Sequence, residues 1–88
     1  MTACRVTIVN PLGLHARAAA RFVKLADTFR SQIRVGRGQQ TMDGKSILGL
    51  LLLAAARGTE LTISADGPDE AQAIAAIAGL VSRGFEES

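Results

Sequence analysis

The apolar residues of this chain change period at Ala16. Before it, residues 3–9 (ACRVTIV) alternate, with Cys4, Val6 and Ile8 on one side and Arg5 and Thr7 on the other, as in a half-buried strand. After it, Ala19, Phe22, Val23 and Ala26 recur at helical spacing, which predicts a helix with one buried stripe that Phe29 closes. Asn10, Pro11 and Gly13 make the break between them. A chain that carries both periods this close together must pack helix against sheet around one core.

The remaining elements follow from the same two periods. Gln32–Val35 and Gln39–Met42 read as short strands around a Gly36-Arg37-Gly38 turn, a hairpin. Asp43-Gly44 marks the next turn, and Ser46 is placed to cap a short helix running to about Leu53. Leu61, Ile63 and Ala65 alternate in a fourth strand. Asp66 to Asp69 turn into a long helix that begins at Pro68 or Asp69, with Ile74, Ile77, Ala78 and Val81 as its buried stripe. Gly84 ends that helix, and Glu86 and Glu87 read as a solvated tail. The order is β-α-β-β-α-β-α. The hairpin requires antiparallel pairing at one point, so a mixed or antiparallel four-stranded sheet with helices on one face fits. Arg5, Thr7, Arg34, Thr62 and Ser64 suit its open face.

Composition narrows the function classes. Eighty-eight residues make one domain, residues 1–88, and 48% hydrophobic content makes it a globular one. With three Phe and neither Tyr nor Trp, the core must be aliphatic. A net charge of +2 and the near absence of aromatic residues argue against nucleic acid as a partner. One Cys and one His build neither a disulfide nor a zinc site, so no metal or cofactor is expected. Cys4 reads as a packed strand residue, and Met42 as packing at a strand end. Ile47 to Ala56 is the most apolar stretch and falls far short of the roughly 20 residues of a membrane span. No signal peptide is visible at the N-terminus. A cytoplasmic monomer is the expectation.

The residue that points to chemistry is His15, at or next to the cap of the first helix. A helix start offers unpaired N–H groups and partial positive charge, a site for an anion. That environment also favours the neutral imidazole, which is the form a nucleophile at phosphorus needs. Arg17 can fold over the same site and hold phosphate oxygens in its planar fork. Arg17, Arg21, Lys24 and Thr28 then run as a basic stripe along the helix. There is no P-loop, and no second histidine or acid is evidently paired with His15. The chain has the parts to accept and donate a phosphoryl group, and partners must activate the donor.

Ser46 is the second candidate, a capping hydroxyl beside Lys45 where a regulatory phosphate gains from the helix dipole. The helix behind it is apolar on nearly every side, so part of it must stay exposed. Ile47, Leu48 and Leu51 are expected outward, and Leu50 and Leu53 inward. On spacing alone, a regulatory binding module acting through Ser46 and this helix is the alternative to a carrier.

Gly13-Leu14-His15-Ala16-Arg17, with Ala19 and Ala20 beyond it, resembles the active-site signature of HPr. This is the histidine-containing phosphocarrier family of the bacterial phosphoenolpyruvate-dependent phosphotransferase system. Lys45-Ser46-Ile47 with Gly49 resembles its regulatory serine segment, and Arg57–Ile63 and Gly84–Glu87 are similar to its later parts. The resemblance implies an α+β open-faced β-sandwich, a four-stranded antiparallel sheet with three helices on one face. It implies phosphorylation of His15 on Nδ1 by enzyme I, transfer to an enzyme IIA-type protein, and phosphate stabilisation by Arg17. Ser46 resembles the site modified by HPr kinase/phosphorylase. Ala16, Arg17, Ala20, Arg21, Lys24, Ile47, Leu48 and Leu51 match the family's partner surface. Many members carry proline where this chain has Ala18, and the alanine-rich version resembles proteobacterial forms, including a nitrogen-related branch. Both a sugar-permease component and a regulatory protein stay open as the final acceptor.

Overall fold

A computed structural model describes residues 1–87. Strands β1 (Thr2–Thr7), β2 (Gln32–Arg37), β3 (Gln40–Asp43) and β4 (Glu60–Asp66) alternate with helices α1 (Ala16–Ala26), α2 (Ile47–Leu52) and α3 (Glu70–Ser82), in the order expected. The sheet order is β1-β4-β2-β3, and every pairing is antiparallel. This settles the sheet as antiparallel and puts the last strand of the chain at its centre. Ile63 of β4 lies between Cys4 on one side and Val35 on the other, and Ala65 between Thr2 and Ile33.

One face of the sheet carries the core, and it is aliphatic as composition demands. Ile33, Val35, Leu61, Ile63 and Ala65 from the strands meet Phe22 and Val23 of α1, Leu50 of α2, and Ile74, Ile77 and Val81 of α3. Leu50 and Leu53 point inward as expected, and Met42 and Cys4 pack at the margin. Ala78 is only partly covered; Ala73 and Leu80 complete the α3 stripe instead. Arg5, Thr7, Arg34 and Thr62 are exposed on the opposite face, with Ser64 half-buried.

The hairpin turn differs from the sequence reading. β2 continues through Gly36 and Arg37, which pair with Thr41 and Gln40, and Gly38-Gln39 alone make the turn. Gly38 has φ +58°, so this glycine takes the left-handed position. Gly36 is an ordinary strand residue beside the Gln40 carbonyl. Asp69 stands at the start of α3, but its carboxylate caps another segment. It accepts from the Arg30 N–H at 2.8 Å, the Ser31 N–H at 3.0 Å and the Ser31 hydroxyl at 2.6 Å. Those bonds tie the α1–β2 loop to the start of α3, and they hold the Asp69 carboxyl below the usual carboxylate range.

The chain does not run out into solvent after α3. Gly84, Phe85 and Glu86 have φ of +64°, +57° and +61°, a left-handed turn that doubles the tail back. Left-handed geometry costs about 1–2 kcal/mol at each non-glycine residue. Burial of the Phe85 ring, fully enclosed in the core, outweighs that cost. Replacing it tests the balance: Phe85→Ala is expected to destabilise the fold by about 3–5 kcal/mol. The change should appear as a lower urea midpoint at unchanged slope. A loss below about 1 kcal/mol would put the ring outside the core.

Candidate functional site

The loop from β1 to α1 is held by backbone bonds to the segment before β4. Ile8 donates to the Thr59 carbonyl at 2.9 Å and accepts from Gly58 at 2.7 Å, and Leu14 donates to the Ala55 carbonyl at 2.8 Å. Gly13 lies so close to this segment that a Cβ would stand 2.6 Å from the Ala55 oxygen, and its φ is +68°. Only glycine fits there. Asn10, buried beneath the loop, donates from Nδ2 to the Gly13 carbonyl at 2.7 Å.

His15 therefore emerges from a rigid loop as the cap residue of α1. Its carbonyl accepts from Ala19 at 2.8 Å, and its Nδ1 accepts from the Arg17 N–H at 3.3 Å. Its other nitrogen, Nε2, donates to Oε1 of Glu87. The same carboxylate oxygen accepts from Asn10 Nδ2 at 3.1 Å. Arg21 fastens the tail by donating to the Phe85 carbonyl at 2.6 Å. These residues surround a pocket of about 170 Å³ lined by Leu12, His15, Arg17, Arg21, Glu86 and Glu87. The other side of the ring looks onto a neutral surface of Leu12, Leu14 and Ala54 to Ala56.

Two sequence expectations are corrected here. An acid is paired with His15 after all, and Glu87 is not a solvated tail residue: its side chain is only 17% exposed. Glu86 is exposed, as expected. The cause is the turn at Gly84 and Phe85, and its local signal is a glycine followed by a large apolar residue just past a helix. That pattern carries the chain back against the helix it has left. Asn10 was read only as a turn residue, and Leu12, which lines the pocket, was not singled out. Asn10 is revealed only by burial, and its Oδ1 has no hydrogen-bond partner among the described residues.

Of the residues singled out in the sequence, His15, Arg17 and Arg21 share the pocket. Ala16, Ala20 and Lys24 are exposed on α1 beside it. Ser46 lies apart from the pocket as the cap of α2, its Oγ accepting from the Gly49 N–H at 3.0 Å. Behind it Ile47, Leu48 and Leu51 are exposed as expected, and so is Leu52, at 59%. Together they form an apolar face next to a basic one. Among the described residues, no helix is long and apolar enough to cross a membrane.

The family model described as PTS HPr component phosphorylation site matches residues 2–83. The phosphocarrier protein HPr of Pseudomonas aeruginosa is 46% identical, over 99% of this chain and 98% of its own length. The phosphocarrier protein NPr of Shewanella violacea is 40% identical, over 96% of this chain and 92% of its own. The crystal structure of HPr-C-His from Thermoanaerobacter tengcongensis matches with a TM-score of 0.96 at 40% identity, covering 100% of this chain and 99% of that one.

The electrostatics of Glu87 can be checked directly. Its carboxyl is held below the usual glutamate value, first by the hydrogen bond from His15, with the Asn10 amide and the Arg21 charge adding and burial opposing. A lowered acid stabilises the docked tail fully above the ordinary glutamate range, and the contribution is lost as pH falls through the lowered value. His15→Ala should therefore raise the Glu87 midpoint toward that of an ordinary glutamate, followed by carbon NMR of the side-chain carboxyl. An unmoved midpoint would remove the imidazole as the cause.

Proposed function

The chain belongs to the HPr family and is a phosphocarrier protein of the phosphotransferase system, and on that premise we propose that His15 carries the phosphoryl group. It receives the group from enzyme I and gives it up to an enzyme IIA-type protein, working in the cytoplasm as a single copy of one domain, residues 1–88. The observation that carries this reading is the division of labour on one ring. Nε2 is held by Glu87, while Nδ1 faces the open start of α1.

In the forward step the Nδ1 lone pair attacks phosphorus, the N–P bond forms, and the bond from phosphorus to the donor breaks. Nδ1 can then no longer accept from the Arg17 N–H. The phosphoryl oxygens take over that donor and the other free amides of the first turn. The Arg17 side chain is exposed and lines the pocket, within reach of the same oxygens. Nothing at the site activates a donor, so direction is set by whichever partner is docked.

Ala16, Ala20, Arg21 and Lys24 on α1 and Ile47, Leu48 and Leu51 on α2 form the docking surface of this reading. Their mixture of apolar area and positive charge suits a partner with an acidic rim around an apolar centre. Ser46, as the substrate of HPr kinase/phosphorylase, would add about −1.5 to −2 charges at the edge of that surface.

Incubation with phosphoenolpyruvate and enzyme I, read by intact mass, tests the carrier role. The native protein should gain one acid-labile phosphoryl group and His15→Ala none; equal labelling of both would refute it. Ser46→Asp should slow transfer from enzyme I, chiefly through weaker docking. Transfer kinetics equal to the native protein would take Ser46 out of the regulation.

A further inference from the structure

Glu87 touches the His15 ring on the side away from the transferred group. Neutral imidazole has one N–H and one lone pair, so its two contacts constrain each other. The Arg17 backbone amide can only donate, which requires the lone pair on Nδ1. The Glu87 carboxylate can only accept, which requires the proton on Nε2. Both contacts demand the same tautomer, with the lone pair on Nδ1 and the proton on Nε2. The carboxylate is itself held in place by Asn10 and by the left-handed turn whose Phe85 is locked in the core. Strained backbone of this kind persists where the surroundings over-determine it, and it clusters at functional sites.

The two ring nitrogens point away from each other. A phosphoryl group on Nδ1 lies at the start of α1 and leaves the Glu87 contact in place. We propose that Glu87 is a positioning residue: by holding the Nε2 proton of His15 through phosphorylation and release, it directs phosphorus to Nδ1 and keeps the phosphorylated ring a good leaving group. As the N–P bond forms, positive charge develops on the ring, and a carboxylate bonded to the opposite N–H stabilises it. On release the N–P electron pair returns to Nδ1, the phosphoryl group moves to the acceptor's nucleophile, and the proton has never left Nε2. The charged groups around the ring are Arg17 and Arg21 from α1 and Glu86 and Glu87 from the tail. The loop residues on both sides, Asn10, Leu12 and Ala54 to Ala56, are neutral. Among the acids of the described residues, only Glu87 bonds to the ring.

This inference rests on the carrier reading, and the test separates the two. Native protein, E87Q, E87A and E86Q are labelled with ring nitrogen-15 and phosphorylated through enzyme I. Ring NMR against pH reports when Nε2 loses its proton in the phosphorylated form, and quenched flow with an enzyme IIA-type acceptor reports onward transfer. E87Q keeps an acceptor for the N–H but loses the charge. It should release the Nε2 proton at lower pH than the native protein, and E87A at lower pH still. Onward transfer at neutral pH should slow by roughly tenfold in E87A, the effect of losing one hydrogen bond to a charged group. E86Q removes a charge from the same tail without removing a bond, and should shift the proton less. If the native protein is phosphorylated on His15 but E87Q and E87A match it in both measurements, the proposal for Glu87 fails while the carrier reading stands. The proposal also fails if E86Q shifts the proton as far as E87Q, or if E87Q and E87A transfer faster, since Glu87 would then be competing with phosphate. No labelling of His15 at all overturns the carrier reading itself.

Discussion

The pairing of β4 with both β1 and β2 is the constraint on which the rest of this molecule depends. Leu61, Ile63 and Ala65 point into the core from a strand that is last in sequence and central in space. The sheet cannot close until residues 60–66 have arrived between strands formed from earlier sequence. Once β4 is in place, α1 and α3 must cross the same face of the sheet. The end of β1 must also run beside the start of β4. The bonds from Ile8 to Thr59 and Gly58, and from Leu14 to Ala55, are the continuation of that pairing into the loop. They bring His15 to its position with little freedom left in the backbone that carries it. A site built on a loop is usually loose; this one inherits its rigidity from the sheet.

A second consequence is that the C-terminal tail returns to the same place. α3 runs beside β1 in the same direction, with Glu70 against Thr2 and Gly84 against Asn10, so its end lies near the loop that leads into α1. Gly84 reverses the backbone, Phe85 enters the core, and Glu87 reaches the ring. Each nitrogen of His15 is thereby committed to a different neighbour, one from its own helix and one from the far end of the chain. The apolar face of α2 and the basic face of α1 lie beside this point and leave it open to a macromolecular partner. A phosphocarrier is served by that combination of a held ring and an accessible approach.

What the sequence disclosed was what is encoded locally. The strand and helix periods, the cap positions of His15 and Ser46 and the aliphatic core depend on residues within a few positions of each other, and all stand in the structure. The hairpin was displaced because Gly36 and Gly38 both permit a turn, and only pairing of Gly36 with Thr41 and Thr62 decides between them. Leu52 was missed because a helix apolar on nearly every side has no periodicity from which to read its buried face. The His15–Glu87 contact spans 72 positions and passes through a left-handed turn. No pattern in spacing encodes it, although Gly84-Phe85 after the last helix is a local sign that the tail folds back.

Ala18 connects these points. Its side chain is fully buried in the first turn of α1, where it packs into the core with Ala19 and Phe22. Alanine rather than proline at this position keeps a backbone N–H at the helix start, where no preceding helical carbonyl is available to it. The first turn therefore presents the amides of Ala16, Arg17 and Ala18, and in the unphosphorylated protein the Arg17 amide is already used by Nδ1. On the carrier reading, phosphorylation of His15 would remove the Nδ1 lone pair and with it the side-chain cap of α1. A phosphoryl group on that nitrogen offers three oxygens to the same amides, so the helix exchanges one cap for a more highly charged one. The cost of losing the cap and the gain of binding the anion fall on the same few atoms.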